Sequence, residues 1–224
     1  MSIFFTGLNL IYLNAFMIPF FPNTGDGTHC FQAALMMALK HFEPARAFTY
    51  DALDRISQKL PGKWTWPTSA MLWLMGEGYK LKLIEEFDYH AFAARGVDYL
   101  IEKCGAEVAA VQEEMSDIPR EQKIAAQFAA KAPIEYRLPT MDDVKRYVDE
   151  GWVVICNINA ALLHKQQGYS GHFVVIVDLM DEAVIIHDPG LPPLPNYNVA
   201  RDVFERAWAY PSASDKNLLA IRRS

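Results

Sequence analysis

The chain has 224 residues, room for one large domain or two small ones; 51% are hydrophobic and 21% charged, the balance of a globule with a substantial core. A formal net charge of −6, with no Lys/Arg cluster to override it, argues against a nucleic-acid binder. Three cysteines, Cys30, Cys104 and Cys156, are too few and too widely spaced for a disulfide framework and fit a reducing compartment.

Residues 3–21 (IFFTGLNLIYLNAFMIPFF) are strongly apolar, but no Lys or Arg occurs before Lys40, so the basic region of a secretory signal is missing. Asn9, Asn14 and Pro19 interrupt the run, whereas a membrane span wants about 20 clean apolar residues. The expectation is a buried strand or extended core segment, with a targeting or anchoring piece as the alternative, in a cytoplasmic protein without a membrane partner. Residues 22–28 (PNTGDGT) have turn chemistry throughout. A helix is expected at once after them, CFQAALMMALKHF, with Thr28 as its cap and an almost wholly apolar surface, stopping near Glu43-Pro44.

The middle, about 48–132, reads as mostly helical. Thr49 with Leu53, Ile56 and Leu60 makes one amphipathic stretch, and Pro67 opens a second that ends at Gly76–Gly78. YKLKLIEEF alternates like a strand, and residues 90–131 carry further helices with polar faces. No linker or repeat marks a boundary, so residues 1–224 are read as one domain with a helical insertion at about 48–132. The last third changes character. A capped helix at TMDDVKRYVDEG precedes three β-rich runs, WVVICNI, HFVVIVDLM and AVIIHD, expected to be neighbouring strands of one sheet. The Pro-rich DPGLPPLPNYN is expected to be a loop, ARDVFERAWAY a helix and NLLAIR a last strand. Helices first and sheet later is an α+β layout.

Three residues stand where thiol chemistry needs them. Cys30 lies at the start of the buried helix, where free N–H groups and the helix dipole favour a thiolate. His172 opens one strand and Asp188 closes the next, so antiparallel pairing makes them neighbours although 16 positions separate them. Taken singly, each has a bland reading: Cys30 as a small buried hydrophobe, His172 as a satisfied strand-end histidine, Asp188 as a turn initiator before Pro189.

The segment DGTHCFQAALMMALKHF resembles the catalytic-cysteine helix of the bacteriocin-processing (double-glycine leader) peptidases and their papain-like relatives. VKRYVDEGWVVICNI…GHFVVIVDLMDEAVIIHDPG resembles the His and Asp region of that group, in which Gly-His and an apolar run precede a strand ending in Asp-Pro. The likeness spans about residues 18–43 and 140–210. It implies a papain-like α+β fold, a buried N-terminal helix carrying the Cys against a C-terminal antiparallel sheet carrying His and Asp. It also implies Cys30 as nucleophile, His172 as general base and then acid, and Asp188 as its orienter. The chain departs from the group at two places: Phe31 stands where Gly usually follows the nucleophile, and no Gln precedes Cys30. Asn23, whose amide also donates, is the substitute for that Gln as oxyanion donor. No ATP-binding cassette or membrane region follows, so a leader-peptide exporter is not expected.

Cys156, inside an apolar strand, is read as core and Cys104 as structural. A zinc site from His29, Cys30, His172 and His187 follows no standard ligand spacing, so neither metal nor cofactor is expected. His187 is read as a wall or supporting group, and His41, His90 and His164 receive no role. Trp64, Trp66 and Trp73 are read as core, with a peptide-binding platform at KWTWP as the alternative. The function expected is a cysteine peptidase or thiol hydrolase acting on a peptide or other amide. The alternatives are an acyl or amide transferase on the same fold and a non-catalytic peptide-binding module.

Overall fold

Val- and Ile-rich runs bury both faces of a pleated strand when other elements cover them, and here helices do so on each side. A computed structural model describes residues 17–224. It contains α1 (Cys30–Phe42), α2 (Tyr50–Ser57), α3 (Thr68–Gly76), β1 (Tyr79–Glu85), α4 (Tyr89–Arg95), α5 (Val97–Met115), α6 (Ile118–Ala129) and β2 (Ile134–Glu135). It continues with α7 (Met141–Asp149), β3 (Val153–Asn159), α8 (Ala160–Leu163), β4 (Gly171–Leu179), β5 (Ala183–Asp188), β6 (Leu194–Ala200), α9 (Arg201–Trp208) and β7 (Asn217–Arg223). The expectation for residues 3–21 falls largely on 1–16, outside the described residues; Ile18, Phe20 and Phe21 pack against the core. Among the described residues no helix is long and apolar enough to cross a membrane.

The fold is α+β around a seven-stranded sheet of order β2-β1-β7-β3-β4-β5-β6. Neighbouring strands are antiparallel except β1 and β2, which run parallel. Successive residues alternate between two cores. Ile155, Val175 and Leu219 join α1 on one face, while Val154, Cys156, Val174 and Ile176 join α7 and α9 on the other.

Three local expectations are corrected. LPNYNVA is not loop but β6, an edge strand; an edge tolerates proline because its outward N–H needs no partner. Thr28 does not cap α1: its hydroxyl donates to Asp26 Oδ2 at 2.9 Å, and His29 occupies the cap position without a capping side-chain bond. The sheet is also not confined to the last third, since β1 pairs with β7 from Tyr79↔Arg223 to Glu85↔Asn217 and β7 lies centrally, between β1 and β3.

Helix α1 is wedged against β4 by its own second residue. Phe31 is 1% exposed and meets Phe173 edge-to-face with ring centroids 5.0 Å apart. The bulky side chain at this position is therefore a packing element that seats the helix start on the strand carrying His172. Phe31→Ala should cost about 3–5 kcal/mol of stability, read as a lowered denaturation midpoint, because it leaves a cavity at that seat.

Candidate active site

Cys30 is the first residue of α1, and with no side chain capping the helix its leading N–H groups stay available. The thiol is half-buried and lies within hydrogen-bonding reach of the His172 imidazole. His172 Nε2 donates to Asp188 Oδ1 at 2.6 Å, which leaves Nδ1 as the ring nitrogen for the thiol. Structure thus brings together Cys30, His172 and Asp188, from α1, β4 and β5.

Asparagine side chains hold the strand start in place. Asn157 Oδ1 accepts from the His172 N–H at 3.0 Å, and Asn217 in β7 bonds both ways with the Asn157 backbone, at 2.7 and 3.0 Å. Asn159 Oδ1 accepts from Ala161 N and Ser170 N, closing the loop between β3 and β4.

Asp188 is fully buried, and a buried carboxylate must be paired. Besides His172 it receives the Gly190 N–H on Oδ1 at 2.8 Å and His164 Nε2 on Oδ2 at 2.9 Å. His164 has no role legible in the sequence, since nothing in its neighbourhood signals one. It reaches Asp188 because α8 turns the chain back after β3, and its ring stacks on Tyr197 of β6. A Cβ on Gly190 would stand 2.9 Å from Asp188 Oδ1 and 3.4 Å from His172 Nε2, so this position accepts only glycine without displacing the pair.

The electrostatics favour charge separation. Burial by itself would push the Cys30 thiol up, but the hydrogen bond and charge of His172, with the N–H groups of Phe173 and Phe31, hold it below its ordinary value. Burial likewise works against a charged His172, yet the Asp188 and Cys30 hydrogen bonds raise it to about 10. Asp188, despite burial, is held below the usual carboxylate range by His172. Cys104 goes the other way, pushed up to about 11 by burial, and burial raises Cys156 as well.

Asn23 sits beside this line. Its Oδ1 accepts from Thr24 N at 2.9 Å and His29 N at 2.7 Å, and its own N–H donates to Pro189 O at 2.7 Å. Two backbone donors on one atom fix which end of the carboxamide is oxygen, so Nδ2 is the free donor, without an acceptor among the described residues. His29 is turned away toward Asp26 and Asp54, each at 3.2 Å, and His187 binds Ile18 O at 2.9 Å and Asn196 N at 3.1 Å. The four residues weighed as a zinc set therefore do not converge on one point. Among the described residues no group of three or more His, Cys, Asp or Glu is placed to hold a metal ion. Cys30 and Thr28 also line a cavity of about 180 Å³, with Trp64 and Trp66 in its wall; Trp73 instead packs under Arg46.

No family model and no curated protein matches the chain. Among solved structures it is similar to the crystal structure of a candidate C39-like peptidase from Bacillus anthracis, at 19% identity and a TM-score of 0.32, over 46% of this chain and 58% of that one. The chain thus spans just over half the length of that relative.

Brief iodoacetamide treatment at pH 6, followed by mass mapping, should label Cys30 well ahead of Cys104 and Cys156. Gly190→Ala should slow Cys30 labelling at that pH by loosening the His172–Asp188 pair, with the labelling order of the other two unchanged. Preferential labelling of Cys104 in the unaltered protein would overturn the electrostatic reading.

Proposed function

We propose that the chain is a papain-like cysteine hydrolase, residues 1–224 forming one domain, that cleaves an amide bond, most simply a peptide bond, through an acyl-enzyme on Cys30. The observation that carries this reading is the line of half-buried thiol, buried imidazole and buried carboxylate, in which the thiol is held low and the imidazole high. A thiolate–imidazolium pair is the form that attacks a carbonyl at neutral pH.

In the first step Cys30 Sγ bonds to the scissile carbon and the carbonyl π pair moves to oxygen. The Asn23 amide, together with the Cys30 N–H at the uncapped helix start, suits the developing oxyanion. Imidazolium His172 then gives its proton to the leaving nitrogen as the C–N bond breaks. Water, deprotonated by the now neutral His172, attacks the thioester and releases the acid, and the thiol proton balance is restored. Asp188 keeps its proton off throughout and fixes the ring and its tautomer. Phe31 gives no support to a non-catalytic module, since its side chain is spent on packing α1 and does not occupy the thiol's approach.

The test is turnover of a fluorogenic peptide pool by purified variants. Cys30→Ala and His172→Ala should each lower it by orders of magnitude, because such pairs act as a unit, and Asp188→Asn should hurt less. Asn23→Asp keeps the oxygen that holds Thr24 and His29 but removes the donating NH₂. Turnover should fall by about 10²–10³ while the melting temperature holds. Turnover surviving Cys30→Ala would sink the proposal; products trapped on an added amine in place of water would turn it into a transferase.

A further inference from the structure

The cavity that Cys30 lines has a second chemical feature at Glu85, the last residue of β1. The Tyr89 hydroxyl donates to Glu85 Oε1 at 2.6 Å, while Oε2 has no hydrogen-bond partner among the described residues. Glu85 is packed beneath the surface yet keeps some accessible area, the side that lines the cavity. Lys103 and Lys216 are the cations of the lining; the Lys103 ammonium is engaged by Ser214 O at 2.6 Å, Ser214 Oγ at 2.9 Å and Asp215 at 3.8 Å, and that of Lys216 lies over the Trp208 ring, 5.0 Å from its centroid. Aromatic rings supply much of the remaining wall: Trp64, Trp66, Phe87, Tyr169 and Tyr210.

Glu85 is half-buried and its Oε2 has no direct ion-pair or hydrogen-bond partner among the described residues, so a cation entering the cavity meets an open carboxylate oxygen, and aromatic faces attract cations electrostatically. An uncharged apolar occupant would fill the space but leave Oε2 unanswered. A cation on an apolar stem answers both. The volume, about 180 Å³, lies below the roughly 300–1,000 Å³ of whole-ligand pockets and suits a single side chain. We propose that this cavity is a specificity pocket for a basic side chain, lysine or arginine, or another alkylammonium group, with Glu85 as the residue that recognises the charge. Placing that side chain next to the scissile carbonyl rests on the catalytic reading of Cys30; the pocket's preference for a cation does not.

Burial pushes the Glu85 carboxyl up to about 7, against the Tyr89 hydrogen bond and the Lys103 charge. Glu85 acts in turn on Tyr89, Tyr99 and Tyr136, all raised above the ordinary tyrosine value and so neutral near pH 7, and Asp215, Lys103 and Lys216 are the charged groups elsewhere in the lining. Glu85 is therefore the group that gains charge as pH rises through 7, and cation binding should strengthen in the same direction.

The probe is n-butylammonium, with n-butanol as its uncharged counterpart, titrated into the whole protein and followed by tryptophan fluorescence and calorimetry. The amine should bind saturably and more tightly than the alcohol, with affinity rising from pH 6 to pH 8 while that of the alcohol stays level. Glu85→Gln should weaken the amine about tenfold or more and leave the alcohol unchanged, the loss expected for one charged hydrogen-bond partner. Amine binding that is absent, or level from pH 6 to pH 8, overturns the proposal, and this comparison on the unaltered protein decides it even if Glu85→Gln does not fold. A folded Glu85→Gln that binds the amine as before also overturns it. None of these readouts needs cleavage, so an inert Cys30 would remove the hydrolase reading and leave the pocket standing. Where cleavage occurs, substrates with lysine before the scissile bond should exceed norleucine analogues at least about tenfold in kcat/KM, and Glu85→Gln should erase that ratio; equal rates in the unaltered protein count against the pocket.

Discussion

A carboxylate with no solvent access organises this molecule. Asp188 is 0% exposed, and an ionised group there is tolerated only with donors on every side. Two imidazoles and one backbone N–H meet that demand, and they come from three separate places in the chain: His164 after α8, His172 at the start of β4 and Gly190 beyond β5. Satisfying one oxygen pair thus fixes how β3, β4, β5 and their loops converge. It also explains why the loop after Asp188 carries glycine where it does, since any Cβ at position 190 would press on the carboxylate.

The second dependence runs from that carboxylate outward to the thiol. Burial alone would make Cys30 an inert thiol and His172 a neutral base, as it does make Cys104 and Cys156 poor thiolates. The order reverses only because the charges are placed in series, carboxylate, imidazole, thiol, each hydrogen-bonded to the next. The series holds only if α1 sits in register with β4, and the Phe31–Phe173 contact supplies that seat. A packing residue and an electrostatic arrangement are therefore two parts of one device.

The same helix links the thiol to the cavity. Gln32, fully buried, donates to Ser57 Oγ at 3.0 Å and Thr65 Oγ1 at 2.8 Å, so α1 is tied to the segment Trp64–Trp66 that walls the space beside Cys30. The far wall comes from β1 and α5, elements of the region that reads from the sequence as an insertion. That region adds a strand to the sheet and most of the aromatic lining to the cavity, apart from the thiol and imidazole.

The sequence by itself determined the local structure. Apolar periodicity, the Thr140 capping box and Val/Ile runs mark most helices and strands near where they form, because those signals act over a few residues. It also placed Cys30, His172 and Asp188 as a possible set, through helix start, strand start and strand end. Tertiary structure alone decided the rest. Pro195 and its neighbours read as loop until an edge position, with no second neighbour to satisfy, allowed β6 to begin at Leu194, just after Pro192 and Pro193. The central place of β7, the donation of His164 to Asp188 and the meeting of Glu85 with Cys30 at one cavity join residues 24 to 144 positions apart. Contacts of that span leave no periodic or compositional trace, because they are set by how the sheet orders its strands and not by what any one segment prefers.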